Sequence, residues 1–288
     1  MSLGSRMSAE VTAGVHAAWG AATDRGLRRS LNEDSFLATA PVFVVADGMG
    51  GHDAGELASK RAVEVLRARL AGRAATPEAV NTAMVEANRE VQGIAAEPGR
   101  APGTTVSGVV LSAVEGVPYW IVVNLGDSRT YRLAHGALEQ ISVDHSEVQE
   151  LIDAGHVTRA EAAHHPRRHV VTRALGAGEA EVDYWLLPVA ANDRILVCSD
   201  GLTSELPDAF VAQTLLAESD PQSAAERLVA EAVQAGGRDN VTVVVVDVRG
   251  VEGHQDASSL TSPRGHETPD DDTLPRGSRS PGSREVGA

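Results

Sequence analysis

The sequence predicts an α+β protein, a four-layer α-β-β-α sandwich of two antiparallel sheets flanked by helix pairs. Three observations lead there. Apolar strand patterns come in runs rather than alternating singly with helices. Amphipathic helical patterns come in two pairs. And 42% of the 288 residues are apolar while 3% are aromatic, so a substantial core is drawn from Val, Leu, Ala and Ile.

In chain order, strands rich in Val, Ile and Thr are expected at 12–22, 34–39 and 42–46. A helix pair follows at about 54–71 and 77–96. In its second member Thr76 is the expected N-cap and Pro77 the first helical residue, and Val80, Met84, Ala87, Val91 and Ile94 share one face. Strands at 105–114, 118–124 and 129–134 come next, then an insert at 146–165 with two weaker helices, the second opened by a Thr158–Glu161 capping box. Strands at 182–187 and 193–198 lead to the second helix pair, about 207–217 and 221–235. Asp220 and Pro221 open its last helix and Gly236–Gly237 close it; a final strand spans 241–248. No repeat is visible, and 8–249 reads as one domain. Residues 1–7 read as an artificial or disordered N-terminus, and 250–288, rich in Ser, Pro, Gly and charge, as a disordered tail.

Charge and cysteine usage narrow the function. The net charge of 25 − 40 = −15 argues against a nucleic-acid backbone or an anionic membrane surface as partner. The single cysteine, Cys198, excludes disulfide scaffolds and cysteine-based zinc sites. No stretch approaches the ~20 apolar residues of a membrane span, and the N-terminus lacks the apolar core of a signal peptide. The expected setting is cytoplasmic.

Acids recur where strands stop. VFVVADG reaches Asp47, YWIVVNLGDSR reaches Asp127, RILVCSDG reaches Asp200, and GGRDNVTVVVVDV starts just after Asp239; Glu33 and Asp34 precede a short strand. One Asp-Gly is an ordinary turn. Five such sites in one domain point to carboxylates gathered in a small volume, where two like charges ~4 Å apart repel by ~4 kcal/mol at an effective dielectric of ~20. Such a cluster persists only when protonated or neutralised by cations. Oxygen-only donors favour hard ions, Mg²⁺ or Mn²⁺. Glycines after Asp47 let the backbone turn sharply and bring a carbonyl such as that of Gly48 toward an ion.

The motifs RSLNED, ADGMGG, GTT (103–105), LGDSR, DHS (144–146), TRALG (172–176), SDGL and GRDN, in this order, resemble the bacterial type 2C metal-dependent protein serine/threonine phosphatases, over about 12–249. Each motif is short; eight in order are specific. The resemblance implies hydrolysis of phosphoserine and phosphothreonine in proteins by a metal-bridged hydroxide at a centre of two Mn²⁺ or Mg²⁺ ions. It implies that Asp47 bridges the ions, with Glu33 and the Gly48 carbonyl on one, Asp200 and Asp239 on the other, and Asp34 in the same cluster. Arg29 matches the arginine that grips substrate phosphate. Implied partners are phosphorylated Ser/Thr proteins and a cognate Ser/Thr kinase, with the enzyme a monomer.

The chain departs from relatives at two positions. Many eukaryotic members carry a proposed acid histidine where this chain has Met49, leaving water or His52 to supply the proton. Some relatives have an acid where this chain has Ser204, followed by Glu205, so a third ion would rest on Asp127 alone. The insert 146–171 matches the family's variable flap and is expected to govern substrate access, and Arg173 to support the fold. An alternative from another class is a catalytically silent phosphoprotein-binding regulator, which should have lost metal acids; Glu33, Asp34, Asp47, Asp200 and Asp239 all remain. A narrower version is a phosphatase of an anti-sigma-factor antagonist.

Other chemistries fit poorly. GMGGHDAG lacks the third glycine of a dinucleotide loop, Asp53 standing there. Pro166 interrupts the spacing of His164, His165 and His169 needed for zinc, so these read as exposed flap residues. No GxSxG elbow exists for a serine hydrolase.

Overall fold

The computed structural model describes residues 7–12, 14–50, 53–73, 75–95, 101–162 and 165–252. Its strands are β1 (Met7–Thr12), β2 (Val15–Asp24), β3 (Asp34–Thr39), β4 (Val42–Met49), β5 (Gly103–Thr104), β6 (Val106–Val114), β7 (Val117–Leu125), β8 (Arg129–Ala134), β9 (Ala137–Gln140), β10 (Asp183–Pro188), β11 (Arg194–Cys198) and β12 (Val241–Val251). Its helices are α1 (Asp53–Leu70), α2 (Pro77–Gln92), α3 (Glu147–Asp153), α4 (Arg159–Ala162), α5 (Asp200–Thr203), α6 (Asp208–Ala217) and α7 (Pro221–Ala235).

The strands form two sheets, β1-β2-β12-β11-β8-β9 and β10-β7-β6-β4-β3, with β5 paired to the end of β4. All named pairings are antiparallel. Period-2 alternation sorts the side chains of a strand into two different cores. On β12, Val244 and Val246 face the other sheet, while Val243 and Val245 face the helices α6 and α7. On β4, Phe43 and Val45 enter the space between sheets, and Val44 and Ala46 pack under α1 and α2. Three apolar layers thus separate four layers of secondary structure, as the sequence predicts. Phe43 sits edge-on to Trp19 of the facing sheet at 5.3 Å and to Trp120 at 6.2 Å, spreading the few aromatic rings across the inter-sheet core.

Several expected boundaries move. The strand placed at 12–22 begins at Val15, because Thr12 ends the separate hairpin partner β1. The helix expected to 96 stops at Gln92, where Gly93 donates its N–H to Arg89 and Val91 carbonyls. Thr76 does cap that helix, accepting from Ala79 N–H. The capping box of the insert forms as expected: Glu161 accepts from Thr158 N–H at 2.8 Å and Thr158 Oγ1 from Glu161 N–H at 3.3 Å. The tail expected at 250–288 lies outside the described residues from 253 onward, as does most of the 1–7 segment.

Candidate metal centre

The acids converge at one end of the seam between the sheets. Asp34 and Asp47 are cross-strand partners on β3 and β4 of one sheet. Asp200 follows β11 and Asp239 precedes β12, neighbours in the other sheet. Asp127 occupies the turn in which β7 of the first sheet leads to β8 of the second.

Two expectations about Asp-Gly need correction. β4 does not stop before Asp47 but runs on to Met49, held by the β5 residues Thr104 and Gly103. Asp200–Gly201 is not a turn but the start of α5. Glycine is required at both places for close backbone approach. A Cβ on Gly48 would collide with the carbonyl oxygens of Gly55 and Glu33; one on Gly201 would collide with that of Asn240. These contacts bring Asp47 against the Glu33 segment and Asp200 against the Asp239 loop.

The remaining motif residues fix the backbone that carries the acids. Asp47 N–H donates to Thr105 Oγ1 at 3.0 Å, and its carbonyl accepts from Thr105 N–H and Thr104 Oγ1, each at 2.9 Å. Asn240 accepts Glu33 N–H at 2.8 Å and donates to the Arg25 and Leu31 carbonyls, tying the Glu33 loop to the Asp239 loop. Ser199 Oγ donates to Asp34 Oδ2 at 2.8 Å across the seam. Arg129 grips Asp144 with Nε and Nη2, joining LGDSR to DHS.

The electrostatics match a site built for cations. Burial and the carboxylates of Asp200 and Asp239 push Asp34 up to about 7. Burial, with Asp34, Asp200, Asp127 and Asp239 around it, raises Asp47 well above the usual carboxylate range. Burial and Asp200 do the same to Asp127. Asp34 Oδ1 is buried and accepts no hydrogen bond. Among the described residues no three His, Cys, Asp or Glu side chains stand in a closed metal cage, and two basic side chains lie against the acids. Arg29 Nη2 donates to Asp239 Oδ2 at 2.7 Å, and His169 Nδ1 lies 3.6 Å from Asp200 Oδ2. Asp239, Glu33 and Asp47 outweigh burial and raise the pKa of Arg29. The all-oxygen donor set, the orphaned Asp34 oxygen and the raised pKa values of Asp34, Asp47 and Asp127 fit hard divalent ions.

A cleft of about 680 Å³ opens on these groups, lined among others by Arg29, Glu33, Asp47, Gly48, Asp127, Asp200 and Asp239. Every acid proposed as a ligand except Asp34 lines it; Asp34 lies beneath, bonded to Ser199. Met49 lines the cleft, while His52 and His164 lie outside the described residues. His169 is an exposed flap residue as expected, with 48% of its side chain exposed, and it also lines the cleft. Its spacing from the other motifs gives no signal; only the folding back of the flap brings it there. Glu205 is committed elsewhere: its side chain, 2% exposed, accepts from the guanidinium and backbone N–H of Arg238, bracing the segment before Asp239. Arg173 forms long ion pairs with Glu181 and Asp183, both at 3.7 Å. Cys198 is buried, and burial lifts its thiol to about 12, so it is no nucleophile.

A family model described as protein phosphatase 2C matches residues 27–233. The serine/threonine phosphatase stp of Listeria innocua is 35% identical over 250 residues, 82% of this chain and 98% of its own. The serine/threonine protein phosphatase PstP of Mycobacterium tuberculosis is 37% identical over 242 residues, 80% of this chain and 45% of PstP. The solved catalytic domain of PstP in complex with two manganese ions has a TM-score of 0.74 at 36% identity, covering 82% of this chain and 99% of that one.

Proposed function

From the premise that this chain belongs to the protein phosphatase 2C family and is a metal-dependent serine/threonine phosphatase, we propose that phosphoserine and phosphothreonine esters are hydrolysed in the cleft above Asp47. The observation that carries this is the gathering of Asp34, Asp47, Asp127, Asp200 and Asp239 from both sheets at one rim, where burial and the neighbouring carboxylates raise the pKa values of Asp34, Asp47 and Asp127. Glu33, Asp47 and the Gly48 carbonyl would hold one divalent ion, Asp47, Asp200 and Asp239 the second, with Asp34 supporting them and Asp127 serving a third. Such ions supply Lewis acidity and a nucleophile from water at neutral pH. The chain's own residues do the rest. Arg29, poised on Asp239, has the planar donor fork that suits a phosphoryl group and would orient it toward the acids. The open cleft admits an extended phosphopeptide segment, and the flap 146–171 borders it through Arg168, His169, Val170 and Val171.

On this reading the partners are phosphorylated proteins and the Ser/Thr kinase that makes them, with one chain acting alone in the cytoplasm. No helix among the described residues is long and apolar enough to cross a membrane. The test is hydrolysis of p-nitrophenyl phosphate and of a phosphothreonine peptide with Mn²⁺, with EDTA, and with Asp239→Asn. Hydrolysis should require the ion and fall by orders of magnitude in the variant. Activity that survives chelation or the substitution rejects the reading.

A further inference from the structure

We propose that His145 is a positioning residue that locks the Asp127 turn to the base of the flap, coupling flap position to the site. The proposal rests on the phosphatase reading above, but its geometry is independent of the metal acids in β3 and β4.

His145 is buried, and all four of its polar atoms are engaged. Its backbone N–H donates to the Gly126 carbonyl at 2.8 Å, and its Nδ1 accepts the Gly126 N–H at 3.1 Å. One residue therefore holds both polar atoms of the glycine that precedes Asp127. The His145 carbonyl accepts Thr172 N–H at 2.9 Å, at the exit of the flap. The flap's two ends are joined there by the Ser146–Val171 bridge and by Glu147 N–H to the Val170 carbonyl at 2.9 Å. His145 Nε2 lies 3.1 Å from Asp183 Oδ2 at the head of β10, opposite Asn124 of β7.

Hydrogen-bond chemistry fixes the ring. A backbone N–H can only donate, so Nδ1 is unprotonated, and the imidazole proton sits on Nε2, directed at Asp183. Gly126 has little freedom: its φ is +110°, and Thr105 crowds the place where a Cβ would stand. A shift of the flap base moves His145, and His145 moves the turn that presents Asp127. Conversely, Asp127 holding a cation would stiffen the turn and, through it, the flap. Groups that orient a ligand-bearing segment in this way typically contribute 10- to 100-fold to metal affinity or activity.

The experiment compares wild type with His145→Ala, His145→Asn and His145→Gln. For each it measures kcat and KM on p-nitrophenyl phosphate, Mn²⁺ half-saturation, and the rate of tryptic cleavage at flap arginines 159, 167 and 168. His145→Ala should lower kcat about 10- to 100-fold and raise Mn²⁺ half-saturation by about tenfold, leaving KM within about threefold. Tryptic cleavage of its flap should be about tenfold faster. His145→Asn, whose Oδ1 takes the place of Nδ1, should recover most of kcat; His145→Gln, whose amide reaches the Nε2 position instead, should not. The double variant with Asp127→Ala should be little worse than Asp127→Ala alone. Unchanged kcat and flap cleavage in His145→Ala, equal failure of Asn and Ala, or fully additive losses would overturn the proposal. If the alanine variant does not fold, ¹⁵N spectra of the wild-type ring decide: an Nε2–H tautomer is required, and an Nδ1–H tautomer overturns it. A wild type inactive with Mn²⁺ would sink the phosphatase reading instead, while the tautomer and cleavage results would still judge the coupling.

Discussion

Removing one negative charge from beneath the cleft should stabilise the metal-free protein. Asp34 is buried, and burial together with Asp200 and Asp239 raises its pKa from 3.8 to about 7. A carboxyl that holds its proton more tightly in the folded chain supports the fold while protonated. Its contribution is complete below 3.8 and is lost as pH rises to about 7. The span, about 7 − 3.8 = ~3.2 pH units at ~1.36 kcal/mol each, corresponds to ~4 kcal/mol. Between pH 5 and pH 7 alone, where the folded-state group is still half protonated at the upper end, ~2 kcal/mol is lost. Asp34→Asn keeps an acceptor for the Ser199 hydroxyl and removes the charge. In EDTA, the Tm of wild type should therefore fall by about 4–8 °C relative to the variant between pH 5 and pH 7. Saturating Mn²⁺ should flatten the wild-type profile. Parallel profiles for the two proteins in EDTA, or a wild type that gains on the variant as pH rises, would refute the reasoning.

Three further outcomes are expected. Arg29→Ala should cut kcat/KM on phosphopeptide by about 10- to 100-fold through lost charge-assisted hydrogen bonds, with Mn²⁺ half-saturation near wild type; equal loss of metal binding would show that its bond to Asp239 is its main role. Gly201→Ala places a methyl on the Asn240 carbonyl and should lower stability by ~1–3 kcal/mol, read as a Tm drop, while weakening Mn²⁺ binding by parting Asp200 from Asp239. Iodoacetamide should leave native activity intact, since Cys198 is buried and its thiol stays protonated; inactivation in step with Cys198 labelling would contradict this.

Long, strongly patterned segments were legible in the sequence. The strand at 34–39 and the helix at 221–235 have the bounds their alternation, Pro221 and Gly236 indicate. Short edge elements were not. β1 (MSAEVT) and β9 (ALEQ) exist through pairing with β2 and β8, a tertiary effect without a local pattern. β5 is two residues long and is defined by its contact with the end of β4. That Asp47, Asp127, Asp200 and Asp239 gather at one cleft is legible because Asp and Gly at strand ends repeat. The turning role expected of Gly48 gives way to close packing, since a backbone contact with residues 33 and 55 leaves no trace in the local sequence, and the contact of Gly201 with Asn240 leaves none either. His169 and the Glu205–Arg238 brace were equally invisible, because both depend on loops folding back on the cleft.

Because the carboxylates come from opposite sheets, any ion they share would act as a rivet between two slabs that meet through greasy side chains and a few polar bonds such as Ser199–Asp34 and Ser107–Thr130. Emptying the centre does more than silence chemistry. It would leave repulsion at one edge of the sandwich, loosening the slabs where the catalyst must be most rigid, so that supply of the ion would set mechanical integrity and turnover together.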